Sequence, residues 1–142
     1  MEKTRAQANG QCLLLVDDQP FFTAFLREKF EEQGYTVATA ADGREALAFV
    51  RQAAAPLVVL LDLMLPRVTG QQLLRELARG PGASGIRVVL VSAHHTVATL
   101  APNHPMVVGR AQKPVDLGEL TRMVDVAARD LASQASGLRG EA

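Results

Sequence analysis

The sequence predicts an α/β fold: an open, parallel, five-stranded sheet with helices on both faces. Three observations carry this. Short, continuous apolar runs such as Cys12–Val16, Leu57–Leu61 and Ile86–Val91 recur along the chain, as strands buried on both faces require. Segments with helical apolar spacing follow them. The two patterns alternate with almost no filler, the order that βα units with right-handed crossovers produce. The 142 residues suffice for one domain with a sizeable core but not for a closed barrel of eight such units.

The elements follow in order. After the first apolar strand, Pro20 suits a first helical turn, and Phe22, Phe25, Leu26 and Phe30 form the apolar face of a helix that Gly34 stops. Tyr35 to Thr39 reads as the second strand. Asp42-Gly43 is a turn before a helix carrying Ala46, Leu47 and Val50, which ends by Pro56. Leu57 to Leu61 is the third strand, ending on Asp62. A loop with Pro66 and Gly70 leads to a helix through Leu73, Leu74 and Leu77, and Gly80 to Gly85 is loop. Ile86 to Val91 is the fourth strand, ending at Ser92. Residues 94–105 are open between a short helix starting at His94 and loop, because Pro102 and Pro105 interrupt them. Met106 to Ala111 is the fifth strand. Asp116 and Glu119 resemble a capping box for a last helix with Leu117, Leu120, Val124, Ala127, Ala128 and Leu131 on its apolar stripe.

Composition narrows the class. Fifteen basic and 15 acidic residues give a formal net charge of +0, which argues against wholesale binding of nucleic acid or an anionic membrane. The single cysteine, Cys12, excludes an internal disulfide and, opening an apolar run, reads as a buried strand thiol rather than a nucleophile. The first ten residues lack the apolar stretch of a signal peptide, and no run approaches the ~20 apolar residues that span a bilayer. The expectation is a cytoplasmic protein with a flexible segment at 1–10, one domain at 11–132 and a flexible tail at 133–142.

In an open parallel sheet, ligands bind at the carboxyl ends of the strands. The first strand ends in Asp17-Asp18, the third in Asp62, the fourth in Ser92, and the fifth runs into Lys113. Three carboxylates at one edge cannot all stay ionised without a cation. Oxygen-only ligands point to a hard cation, and few protein ligands with several waters favour Mg²⁺. A metal beside a carboxylate, a hydroxyl and an ammonium suits phosphoryl transfer. A carboxylate can attack phosphorus to form an acyl phosphate, Mg²⁺ and Lys113 can neutralise phosphoryl charge, and the Ser92 hydroxyl can hydrogen-bond a phosphoryl oxygen. Asp62 stands alone on a central strand and is the natural nucleophile, whereas the adjacent Asp17 and Asp18 are better placed to ligate.

The ordered set VDD at 16–18, LLDLMLP at 60–66 with Thr69-Gly70 after it, VSA at 91–93 and Lys113-Pro114 resembles the receiver domain of bacterial two-component response regulators. The resemblance covers residues 11–132. It implies a flavodoxin-like (βα)5 doubly wound fold with strand order 2-1-3-4-5, Asp62 as phosphoacceptor, and Mg²⁺ held by Asp17, Asp18, Asp62 and the Met64 backbone carbonyl. Ser92 takes the family's hydroxyl position and Lys113 that of its phosphate-binding lysine, followed by a cis peptide bond. Met64 and His94 stand two residues beyond the acceptor and the hydroxyl, places that tune acyl-phosphate hydrolysis. The implied partners are a sensor histidine kinase or histidine phosphotransfer protein and a downstream protein target, with no direct nucleic-acid or membrane contact and no enzymatic role.

The chain departs from this pattern in two places. Arg110 stands three residues before the lysine, where the family carries Tyr, Phe or His. The segment TLAPNHPMVVGRAQ lacks the usual Gly-Ala-Asp-like run. In the family the hydroxyl residue moves toward the phosphoryl group and the aromatic ring rotates into the space behind it. Arg110 therefore puts the transmission of the signal, not the chemistry, in question.

Taken singly these residues have plainer readings. Asp17 and Asp18 suit helix caps, Ser92 a strand end and Lys113 a solvated loop; the convergence of all four argues for the site. His94 and His95 tempt a zinc reading, but adjacent residues rarely converge on one ion. Phe22, Phe25 and Phe30 are expected in the core. Three functions compete. One is a stand-alone phosphorylatable receiver acting through protein contacts, since eleven residues remain after Leu131. Another is an interaction module of the same fold without phosphorylation, against which Asp62 and Lys113 argue. The third is an aspartyl phosphatase of the haloacid-dehalogenase type, which needs D-x-D where this chain has an adjacent pair, and Asp62-Leu63-Met64 lacks the second acid.

Overall fold

A computed structural model of the chain describes residues 10–53, 56–65, 68–80, 82–93 and 104–141, the last seven of these as backbone. Pro66, the segment from His94 to Pro102 and residues 1–9, on all of which sequence expectations fall, lie outside the described residues. The strands are β1 (Cys12–Val16), β2 (Thr36–Ala40), β3 (Leu57–Asp62), β4 (Ile86–Ala93) and β5 (Val107–Lys113). The described helices are α1 (Pro20–Glu32), α2 (Gly43–Gln52), α3 (Gly70–Arg79) and α4 (Leu117–Glu141). All strand pairs are parallel, in the order β2-β1-β3-β4-β5.

Strand side chains alternate between the two faces of this sheet, and each face has its own apolar layer. Leu13, Leu15, Val58, Leu60, Val89 and Val91 pack under α1 and α4, against Leu26, Phe30, Leu120 and Val124. Leu14, Val16, Val59, Leu61, Val88 and Leu90 pack on the other face against Ala46 of α2 and Leu73, Leu74 and Leu77 of α3. Apolar runs without alternation are therefore what these central strands need.

Helix boundaries follow local chemistry. Asp42 caps α2 by accepting from the Glu45 N–H at 3.0 Å, so Asp42-Gly43 is the helix start rather than a separate turn. Thr69 and Gln72 form a reciprocal capping box at α3, and Gly70 is its first helical residue. Asp116 accepts from the Glu119 N–H at 3.0 Å at the start of α4. Gly34, at φ 102, occupies the left-handed conformation that ends α1 and turns the chain into β2.

Four further expectations change. Phe25 is 46% exposed: the buried stripe of α1 runs through Phe22, Leu26 and Phe30 at four-residue spacing, and Phe25 lies off it. Cys12 is only partly buried because it opens β1 at the sheet's amino edge, and burial pushes its thiol above the ordinary 9.0. Within the expected loop from Gly80 to Gly85, residues Ala83–Gly85 form a 3₁₀ turn. The helical backbone of α4 continues past Ser133 to Glu141: no proline interrupts this stretch, and Gln134, Ala135, Leu138 and Arg139 are good helix formers beside the weaker Gly137 and Gly140.

Candidate functional site

Parallel pairing puts the carboxyl ends of β1, β3, β4 and β5 on one edge. Val16 is level with Leu61, Asp62 with Val91, and Ala93 with Lys113. Asp17, Asp18, Asp62, Ser92 and Lys113 therefore meet there, as the sequence predicts. Asp17, Asp62 and Ser92 are buried, and Asp18 is exposed.

Asp17, Asp62 and Ser92 are each hydrogen-bonded. The Ser92 hydroxyl donates to Asp62 Oδ1 at 3.1 Å, and the Met64 backbone N–H donates to the same oxygen at 2.9 Å. These two bonds fix the plane of the Asp62 carboxylate. The Gln19 backbone N–H donates to Asp17 Oδ1 at 2.9 Å. The Lys113 ammonium donates to Asp17 Oδ2 at 2.8 Å, to Gln19 Oε1 at 2.8 Å and to Asp62 Oδ2 at 3.3 Å. It also stands 4.7 Å from the centre of the Phe22 ring. The Lys113-Pro114 peptide bond is cis. On the far side of Asp62, Gly70 leaves no room for a side chain: a Cβ there would come within 2.6 Å of Leu63 Cα and 2.9 Å of Asp62 O. A glycine at the start of α3 thus lets the helix close onto the end of β3.

Burial raises the Asp17 pKa above the ordinary 3.8, and the bonds from Lys113 and Gln19 pull it only part of the way back. Burial works to lower the Lys113 pKa, but its bonds to the two carboxylates and their charges outweigh that and hold it above 10.5. Both partners of the ion pair thus move upward: the acid shows the burial cost, and the lysine shows the attraction of two carboxylates.

Asp17, Asp18 and Asp62 can each offer one oxygen with all three atoms within 4.8 Å of one another. Among the described residues one ammonium is shared by this cluster, which leaves excess negative charge, and an all-carboxylate donor set suits a hard divalent cation. Met64 is 58% exposed beside the cluster, and Arg110 is exposed in β5. His94 lies outside the described residues. Sequence reasoning missed Gln19 and took Phe22 only as core. The available signal was a glutamine at the cap position of α1, where Ser, Thr, Asp or Asn is usual.

Residues 13–125 match the family described as "Response regulator receiver domain". Protein Rrf1 of Nitratidesulfovibrio vulgaris is 35% identical over 125 residues, covering 88% of this chain and 86% of its own. Transcriptional regulatory protein TcrA of Mycobacterium tuberculosis is 41% identical over 73 residues; these cover 51% of this chain but 28% of TcrA. Among solved structures, the receiver domain of the Francisella response regulator 1452 aligns with a TM-score of 0.71 at 26% identity, covering 85% of this chain and 98% of that one. The response regulator receiver domain protein (CheY-like) from Methanospirillum hungatei JF-1 aligns with a TM-score of 0.74 over 87% of this chain and 98% of that one; at 21% identity it shows the fold alone. No described helix is long and apolar enough to cross a membrane.

Proposed function

The chain belongs to the response regulator receiver domain family of two-component signalling, and from the geometry of its sheet edge we propose that Asp62 is its phosphoacceptor. The carrying observation is that Asp62 alone is contacted by both Ser92 and Lys113 among the three clustered acids. With Oδ1 engaged by two donors, Oδ2 is the more available oxygen for attack on phosphorus. A new O–P bond forms as the donor's bond to phosphorus breaks, and the electron pair leaves with the donor. The product is an acyl phosphate on Asp62. Lys113 and the Ser92 hydroxyl then donate to the phosphoryl oxygens.

Asp17, Asp18 and Asp62, with the Met64 backbone carbonyl, would hold Mg²⁺. When bound, it supplies neutralisation of charge on the transferring phosphoryl group. The donor is a sensor histidine kinase or a histidine phosphotransfer protein, and the output is a protein contact rather than direct binding of nucleic acid. Met64 and His94 would tune the lifetime of the acyl phosphate.

Intact mass after incubation with Mg²⁺ and a small acyl-phosphate donor tests this reading. One labile phosphate adduct is expected on the wild-type chain and none on Asp62→Asn. An adduct forming at an undiminished rate on Asp62→Asn refutes the assignment.

A further inference from the structure

We propose that Gln19 and the Phe22 ring are positioning residues that seat the Lys113 ammonium for phosphoryl binding. The inference rests on the reading of Asp62 given above. An ammonium has three N–H donors. In Lys113 they meet Asp17 Oδ2, Gln19 Oε1 and Asp62 Oδ2, and the ring of Phe22 lies 4.7 Å away. The contact to Asp62, at 3.3 Å, is the longest of the three. It is the one free to pass to a phosphoryl oxygen while the other two hold the group in place.

The two shorter bonds differ in kind. Asp17 also belongs to the carboxylate cluster suited to a cation, so a metal and the ammonium compete for its charge. Gln19 Oε1 is a neutral acceptor outside that cluster and keeps its hold whether or not Asp17 ligates a metal. The side chain sits at the cap position of α1 yet makes no capping hydrogen bond, although a cap there would stabilise the helix. Its amide reaches Lys113 of β5 instead.

That conflict supplies the test. Gln19→Ser offers a better helix cap but cannot reach Lys113. Lys113 reactivity is read by reductive methylation with formaldehyde and a borohydride, using peptide mass and Lys29 as internal reference, with and without Mg²⁺. Loss of one exposed hydrogen bond predicts a rise in Lys113 methylation of roughly three- to ten-fold, larger with Mg²⁺ present. Acyl-phosphate formation slows by a similar factor, while the thermal midpoint stays level or rises, which a merely structural role for Gln19 would not give. Phe22→Leu shifts both readouts the same way by less. Unchanged Lys113 methylation in folded Gln19→Ser overturns the proposal, as does phosphate uptake at the wild-type rate. A wild-type chain that takes up no phosphate is a different result: there the functional reading itself has failed.

Discussion

Lys113 Nζ lies 2.8 Å from Asp17 Oδ2, a contact that joins positions 96 apart in the sequence. The fold brings them together because β1 and β5 end on one sheet edge, with β3 and β4 between them. The carboxylate that Lys113 holds most closely is therefore not the proposed acceptor. The lysine balances the acidic pair and reaches toward Asp62 from there.

Removal of this lysine separates its two roles. Lys113→Ala leaves Mg²⁺ affinity equal or higher, because a like charge next to the cation's carboxylates is gone. Phosphoryl uptake or the response to it falls, by roughly ten-fold or more if the ammonium meets the phosphoryl group. Calorimetric Mg²⁺ titration and the phosphorylation rate check this. A variant matching the wild type in rate and response returns Lys113 to an ordinary surface lysine.

The acidic pair is expected to behave in the opposite way. Asp17→Asn and Asp18→Asn each weaken Mg²⁺ binding, by roughly ten-fold or more if the side chain is a direct ligand. The metal-free variants melt at the wild-type temperature or slightly above, since each removes one of three mutually repelling charges. Unaltered Mg²⁺ affinity in both variants would falsify the assignment of the pair.

Tyr35 gives a pH dependence remote from the site. Its hydroxyl donates to Asp125 of α4, and its ring meets Phe30 edge to face at 5.5 Å. Burial, then the bond to Asp125 and its charge, raises the phenol far above its ordinary 10.0. Above pH 10.0 the unfolded chain loses a proton that the folded chain keeps, so this contribution is fully present below pH 10.0 and declines as pH rises beyond it. Lys113, held above 10.5, adds to the same decline. Tyr35→Phe lowers stability at neutral pH by about 1–2 kcal/mol and makes the alkaline decline shallower. Denaturant unfolding across pH 7 to 11 checks both; an equally steep decline in the variant excludes Tyr35 as its source.

Much of this was legible in the sequence, for identifiable reasons. Buried parallel strands require uninterrupted apolar runs, so Cys12–Val16 and Leu57–Asp62 declare themselves, and the acids at their ends mark the edge. What stayed hidden depends on side-chain reach or on phase. Gln19 looks like a loop residue until the course of β5 is known, and its bond to Lys113 cannot be read from local spacing. Phe25 has the composition of a core residue but the wrong angle on α1. The Tyr35–Asp125 and Arg87–Asp130 contacts, which tie α4 to the rest of the fold, join polar residues with no apolar period to announce them.

Arg110 carries the last prediction. Leu90 pairs with Arg110 and Ser92 with Gln112 across β4 and β5. Side chains two residues apart on a strand share a face, so Arg110 and Ser92 belong to the same face of the sheet on neighbouring strands. An aromatic residue at this place can move behind the hydroxyl at little desolvation cost. A guanidinium has a longer stem and a permanent charge, and burying it costs several kcal/mol unless it is paired. We therefore expect Arg110 to stay exposed after phosphorylation, with the response carried by the stretch from His94 to Pro105 instead. Amide exchange with Mg²⁺ and a phosphoryl mimic should change in that stretch and leave β5 as it was. Arg110→Ala should take up phosphate at the wild-type rate. An activated structure with Arg110 swung inward behind Ser92 would show that this chain switches as its relatives with an aromatic residue do.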